Sequence, residues 1–153
     1  MKKALILAAA ALLCLCSCHK QEVTYNEGIQ LENILINVPQ NAWNYTNDDN
    51  NNYFFASVDM PEITENVFDN ALIKVYRTYN FDSSNPTQIE LPYVRSFERY
   101  WPDEDAWEFY TESVDYEYGI GTMSFFFTMS NFDYELDESL IPEQMQFRCV
   151  IAY

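Results

Sequence analysis

The segment from Met145 to Tyr153 alternates side chains with a period of two. Methionine, phenylalanine, cysteine, isoleucine and tyrosine occupy its odd positions, with glutamine, arginine, valine and alanine between them. Such alternation is typical of a β-strand with one face buried, because successive side chains of a strand point to opposite sides. A strand of this kind needs sheet partners from elsewhere in the chain, so we expect it in the centre of a sheet.

The rest of the chain repeats this pattern in shorter runs rich in Val, Ile, Phe, Tyr and Thr. The predicted strands cover residues 33–38, 53–58, 72–79, 88–100, 106–116, 122–130 and 145–153. One helical turn is predicted within residues 61–70, with Thr64 as its cap and Glu65 in its first turn. About seven strands with no βαβ alternation predict an all-β fold, an immunoglobulin-like two-sheet β-sandwich.

Clusters of Asn, Asp and Pro predict turns at residues 47–52, 82–86, 102–105 and 133–142. The chain has only three glycines. Asparagine and aspartate must therefore supply most of the turn conformations, which their short polar side chains allow.

The N-terminus has the layout of an export signal. Lys2 and Lys3 precede an apolar stretch that is too short to span a bilayer, since a spanning helix takes about 20 apolar residues. Leu15 and Ser17 then precede Cys18 in the arrangement of a lipobox, whereas the two earlier cysteines each follow a leucine directly. Residues 1–17 are thus predicted to be a signal peptide, and Cys18 is predicted to carry lipid.

The expected mature chain has a tether at residues 18–29 and one domain at residues 30–153. His19, and not an aspartate, follows the anchor, which favours the outer membrane. The polar tether would reach at most about 40 Å, so the domain is expected close to the lipid. Several acyl chains on Cys18 would make this membrane attachment stable.

The net charge bears on the possible partners, and the cysteine content bears on possible disulfides. Removal of residues 1–17 takes two of the eight basic residues and none of the 24 acidic ones, which leaves a net charge near −18. Nucleic acids need basic patches, so they are excluded as partners. Cys149 is the one cysteine left beside the acylated Cys18, so no intramolecular disulfide is expected and its thiol is predicted to be buried.

Several short motifs carry a resemblance to a known group. They are Ala42-Trp43, Val58 to Thr64, Leu91-Pro92-Tyr93, Val114-Asp115-Tyr116, Gly119 to Thr122 and Phe147 to Ile151. With the anchor region, they make the chain resemble the small lipoproteins of Bacteroidota with a C-terminal β-sandwich domain. Some members carry a collagen-like stalk after the lipidated cysteine, which Gln21 to Gly28 replace here. The resemblance implies an anchored sandwich and assigns no activity.

The single histidine, His19, lies outside the expected domain. Histidine-based triads, zinc sites and general acid-base chemistry are therefore not predicted, and no nucleotide-binding glycine motif occurs. We expect no enzyme activity, no cofactor and no metal. The oxygen-rich run Asn47 to Asn52 could suit calcium, but it lacks the spacing and glycine of an EF-hand and is better interpreted as a polar turn.

Carboxylates leave one catalytic alternative, a glycosidase with two acids across a cleft. The acids near the second predicted hairpin strand are Asp103, Glu104, Asp105, Glu108 and Glu112. The simpler interpretation makes Pro102 to Asp105 a solvated hairpin tip. Glu108 and Glu112 would then lie on the outer face of a strand opposite Arg95 and Arg99.

The same hairpin is crowded with aromatic residues. They are Tyr93, Phe97, Tyr100, Trp101, Trp107, Phe109 and Tyr110. Core packing accounts for some of them, but strands that alternate cannot turn all of them inward. The candidate ligand-binding residues are Tyr100, Trp101, Trp107 and Tyr110, and at least one of the two tryptophans is expected at the surface. The expected function is binding of an envelope protein, with glycan binding as the alternative.

The lipid anchor is tested by replacing Cys18 with alanine in the full chain. Because the thioether to the lipid forms on this sulfur, the variant should leave the detergent-soluble membrane fraction. Intact mass should show lipid on the wild type and on the control Cys16→Ala, and none on Cys18→Ala. Membrane partitioning of the variant, with no lipid mass on the wild type, would contradict the lipobox assignment.

Overall fold

The computed structural model describes residues 22–23, 29–48, 51–101, 105–130 and 141–153. These residues form two five-stranded antiparallel sheets that pack face to face around one apolar core. The predicted all-β two-sheet sandwich is confirmed.

The first sheet holds five strands in the order β1-β2-β10-β5-β6. Their bounds are β1 Glu22–Val23, β2 Leu31–Val38, β5 Leu72–Tyr79, β6 Thr87–Glu90 and β10 Met145–Ala152. The second sheet has the order β3-β4-β9-β8-β7. Its strands are β3 Asn44–Asp48, β4 Asn51–Met60, β7 Tyr93–Trp101, β8 Ala106–Gly119 and β9 Gly121–Met129. A 3-10 helix, Gln40–Ala42, and the helix α1, Glu65–Asn70, complete the described elements.

Strand β10 lies between β2 and β5, so the predicted central position of the last strand is confirmed. Its odd-numbered side chains are buried, and Cys149 among them is fully shielded from solvent, as expected. Across the core, the ring of Phe147 stacks on that of Phe125 from β9, with centroids 3.9 Å apart and planes 7° from parallel. This contact joins the centres of the two sheets.

Two smaller predictions are also confirmed. The hydroxyl of Thr64 caps α1 by accepting a hydrogen bond from the Val67 amide at 3.3 Å, and Glu65 lies in the first turn. Asn80 and Asp105 adopt positive φ values of 52° and 49° at turns, as expected where glycine is scarce.

The predicted strand at residues 88–100 is wrong, because it is two strands in different sheets. β6 pairs with β5 in the first sheet, whereas β7 pairs with β8 in the second. The change occurs at Leu91-Pro92, where the peptide bond is cis and Leu91 is buried with its amide bound to the Val75 carbonyl at 2.9 Å. Proline has no N–H to continue a ladder, so the chain leaves the first sheet here.

Two further strands were not predicted. β3 runs to Asp48 and β4 starts at Asn51, so most of the predicted turn at residues 47–52 is a continuous hairpin ladder. β1 lies inside the predicted tether and pairs with β2. No helix in the described ranges is long and apolar enough to cross a membrane.

The Phe125 and Phe147 stack predicts a large stability effect. Replacing Phe147 with alanine should lower the free energy of unfolding by about 3–5 kcal/mol, because a ring is lost from a core that cannot fully close. Chemical denaturation of the purified chain measures this. The control Leu72→Ala, at a side chain that is 60% exposed, should change stability little. Equal effects of the two substitutions would contradict the described core.

Candidate functional site

The hairpin of β7 and β8 extends beyond the core of the sandwich. The two strands pair from Tyr93 opposite Val114 to Trp101 opposite Ala106, but β9 follows β8 only as far as Glu112 opposite Met129. Among the described side chains of these two strands, only Tyr93 and Val114 belong to the buried core. We name residues 96–101 and 105–111 the hairpin arm.

Strand alternation divides the aromatic residues of the hairpin arm between two faces. Tyr100, Trp107 and Phe109 lie on the outer face and are 43%, 59% and 74% exposed. We name these three residues the aromatic patch. The Tyr100 and Trp107 rings are 5.1 Å apart and tilted by 45°, and the Tyr100 hydroxyl donates to Asp105 Oδ1 at 2.6 Å. The expectation that one hairpin tryptophan is exposed is thus confirmed by Trp107.

The structure brings together only two of the four candidate residues. Tyr110 lies on the opposite face from Tyr100 and Trp107, where its ring stacks on Phe97 at 5.7 Å and 21°, and the Arg99 guanidinium lies 5.4 Å from its centroid. The backbone of Trp101 pairs with Ala106, and its side chain lies outside the described part of the chain. Phe109, the most exposed of the three, was in the predicted aromatic cluster but not among the candidates. Its position two residues from Trp107 was the available signal.

A polar network joins the two sheets at the base of the hairpin arm. Arg77 from β5 donates to Glu112 Oε1 on β8 at 2.6 Å, and both side chains are about 15% exposed. The Tyr93 hydroxyl donates to the same carboxylate oxygen and accepts from Arg77. The Tyr79 hydroxyl donates to that of Tyr93 at 2.8 Å. We name these four residues the inter-sheet network.

The predicted face of Glu108 and Glu112 needs a correction. The predicted register is confirmed, because Arg95 pairs with Glu112 and Arg99 with Glu108. However, Glu112 and Glu108 lie two and six residues from the buried Val114 on the same strand, so both side chains lie on the inner face and not on the outer one.

The three candidate carboxylates that the structure describes do not form the pair that a glycosidase uses. Glu112 is engaged by Arg77, and Asp105 accepts the hydrogen bond from Tyr100. Glu108 lies four residues along the strand from Glu112, which is about 13 Å and exceeds the separation of paired catalytic acids. Asp103 and Glu104 lie outside the described residues.

Arg95 and Arg77 both lie against the rings of Tyr79 and Tyr93, but Arg95 lacks the ion pair that Arg77 makes with Glu112. The Arg95 guanidinium lies 5.3 Å from the ring centroid of Tyr79 and 5.7 Å from that of Tyr93, and the residue is exposed. Within the described ranges it forms no ion pair with a carboxylate. Stacking on two rings restricts the side chain while its N–H donors stay accessible, which suits recognition of an anion.

The described residues contain no group of three histidine, cysteine, aspartate or glutamate side chains placed to hold a metal ion. The calcium alternative rested on residues 47–52. In that run Asp48 pairs with Asn51 across a hairpin, so backbone oxygens take part in the ladder. Asp49 and Asn50 lie outside the described part.

An open cavity of 520 Å³ lies at the other end of β8, beyond the start of β7. Its lining residues are Phe68, Pro92, Asp115, Tyr116, Glu117 and Tyr118. The rings of Tyr116 and Tyr118 are 6.3 Å apart with planes 20° from parallel, and Phe68 meets Tyr118 edge-on at 5.8 Å. The cavity is therefore lined by aromatic residues, and the acidic residues Asp115 and Glu117 alternate with Tyr116 and Tyr118 along β8.

No protein-family model, no curated protein and no solved structure matches this chain. Its function must be inferred from its own residues.

The inter-sheet network predicts an alkaline loss of stability. Burial first, and then hydrogen bonds to Glu112 and Tyr79, raise the pKa of Tyr93 above the ordinary value of about 10. Because the pKa of Tyr93 is higher in the folded state than in the unfolded state, its protonated hydroxyl adds to the free energy of unfolding. This contribution is complete below pH about 10 and is lost as the pH rises above that value. The difference in unfolding free energy between the wild type and Tyr93→Phe should stay constant up to pH about 9. Above pH 10 it should shrink by up to about 1.4 kcal/mol per pH unit.

Chemical denaturation at a series of pH values measures this difference. The control Tyr53→Phe removes the hydroxyl of a half-buried tyrosine on the outer face of the second sheet, away from the network. If the unfolding free energies of the wild type and Tyr93→Phe change in parallel with pH up to pH 11, Tyr93 does not keep its proton in the folded protein.

Proposed function

We propose that this chain is a non-enzymatic lipoprotein, anchored at the outer membrane by Cys18, whose β-sandwich binds another envelope protein through the hairpin arm. The aromatic patch is the observation that carries this proposal. Exposed tryptophan, tyrosine and phenylalanine side chains on a projecting element are typical of protein interfaces, where such residues supply most of the binding energy.

The geometry of the patch favours a protein over a glycan as its ligand. A sugar chain lies flat along rings that share a plane, whereas Tyr100 and Trp107 are tilted by 45°. The three side chains are instead a raised, uneven apolar surface. Such a surface suits a partner whose side chains can fill the gaps between the rings.

Strand β1 supports a position close to the membrane. If Cys18 carries the lipid, only residues 19–21 separate it from Glu22, where β1 begins. That distance is at most about 14 Å. The sandwich would then stay beside the membrane surface, where a membrane-bound partner is in reach.

Glycan binding is the second candidate function, and the cavity beside Tyr116 and Tyr118 favours it. The two rings lie within 20° of parallel, and the carboxylates of Asp115 and Glu117 can accept hydrogen bonds from sugar hydroxyls. This cavity lies away from the hairpin arm. The two functions can therefore be tested by separate substitutions.

The main proposal is tested with a photo-crosslinking residue in place of Glu98, which pairs with Phe109. In the native envelope, the full chain should give one discrete crosslinked protein. Trp107→Ala should reduce its yield about 30-fold, the effect expected of an interface residue worth 2 kcal/mol. Because Trp107 is exposed, the melting temperature should stay within about 2 °C of the wild type.

Tyr118→Ala is the matched control. It should leave the crosslink unchanged, and it is the variant that should lose signal on a glycan array if the second candidate is right. A crosslink insensitive to Trp107→Ala would contradict the main proposal. A severely destabilised Trp107→Ala would show that the ring packs in the core.

A further inference from the structure

Strand β7 is the last strand of the second sheet, and no strand in the described part of the chain pairs with its outer edge. In an antiparallel pair, every second residue directs its N–H and C=O away from the partner strand. Over Tyr93–Trp101, these groups form a row that can accept another strand.

The side chains of β7 are arranged asymmetrically about this edge. On the inner face, Tyr93 is followed by Arg95, Phe97 and Arg99. The outer face carries Val94, which is 70% exposed, and ends at Tyr100 of the aromatic patch. A strand added to β7 would therefore meet two arginines on one face. On the other face it would meet Val94 and Tyr100, with Ser96 and Glu98 between them.

Strand β7 carries two cations, Arg95 and Arg99, although the whole chain is acidic. The full sequence has eight basic residues and a formal net charge of −16. Two of those eight lie on β7, where Glu98 is the one acid. The Arg95 guanidinium lies against the rings of Tyr79 and Tyr93, which restricts its side chain before a ligand arrives. A guanidinium held in this way suits a carboxylate, which it can bind with two parallel hydrogen bonds.

We infer that β7 binds an extended segment of the partner protein as an added strand. Acidic side chains of that segment lie on the inner face beside Arg95 and Arg99, and its apolar side chains lie on the outer face next to the aromatic patch. This inference rests on the proposed function and names the chemistry of the partner: a strand with alternating acidic and apolar residues.

A second copy of this chain is a poorer occupant of the same edge. Antiparallel pairing of two β7 strands about Phe97 places Arg95 of each copy opposite Arg99 of the other, and like charges in such positions are destabilising. Each copy also carries a net charge of −16, which opposes association.

The test is a selection of random ten-residue peptides displayed on phage against the purified full chain in detergent. Peptides with acidic residues at alternate positions should be enriched. Hydrogen exchange of the complex should show new amide protection in β7. Arg95→Glu should weaken binding of these peptides at least about tenfold, because the new carboxylate would repel the acidic side chains of the peptide. A repeat selection on this variant should enrich lysine or arginine at the same positions.

If Arg95→Glu binds the basic peptides selected on it, its loss of the acidic peptides reflects recognition and not unfolding. An unfolded variant would bind neither the acidic nor the basic peptides. The control Lys74→Glu makes the same charge change on the first sheet and should leave the selected peptides bound. Enrichment without alternating acids, protection outside β7, or no enrichment would overturn the inference. Protection of β7 with dimerisation of the chain alone would also overturn it. If the Glu98 crosslink persists in Arg95→Glu, protein binding through the aromatic patch stands and strand addition is wrong.

Discussion

The ion pair between Arg77 and Glu112 determines how the hairpin arm leaves the sandwich. It joins β5 of the first sheet to β8 of the second at the point where the apolar core ends. Burying either charge alone would cost several kcal/mol, and removal of one partner from such a pair typically costs about 3–5 kcal/mol. Tyr93 satisfies the same carboxylate oxygen. The base of the hairpin arm is therefore held by this polar network together with the partly buried rings of Tyr79 and Tyr110, which pack against the core.

This network also fixes which face of the hairpin arm each side chain occupies. Because strand side chains alternate, a slip of one residue would move every side chain of β7 to the other face. Tyr93 and Glu112 must both point inward to meet Arg77. It follows that Tyr100 and Trp107 point outward, since each lies an odd number of residues from its anchor on the same strand. The exposure of the aromatic patch is thus a consequence of contacts made at the base.

The sequence predicted the elements whose signals are local. The alternation in β10, the Thr64 cap and the pairing of Arg95 with Glu112 all follow from spacing within one segment or one hairpin. What it did not predict depends on contacts between distant segments. The inter-sheet network needs β5 and β8 to face each other. The sequence of neither strand indicates which strand of the other sheet it packs against. The split at Leu91-Pro92 was signalled by the proline, whose missing N–H ends a ladder. The role of Glu112 was hidden because a carboxylate in a strand usually faces water.

The acidity of the whole chain does not prevent an acidic segment from binding at β7. Charges farther apart than about 8 Å are largely screened at physiological salt, so the net charge of −16 acts mainly on the rate of approach. At contact, the charges within a few ångströms decide the energy, and there Glu112 is already neutralised by Arg77 while Arg95 keeps its own charge. The same balance disfavours self-association, because a second copy would present both the repulsive net charge and a matching row of arginines. The edge of β7 therefore disfavours pairing with β7 of a second copy, while it can still pair with a strand of complementary charge.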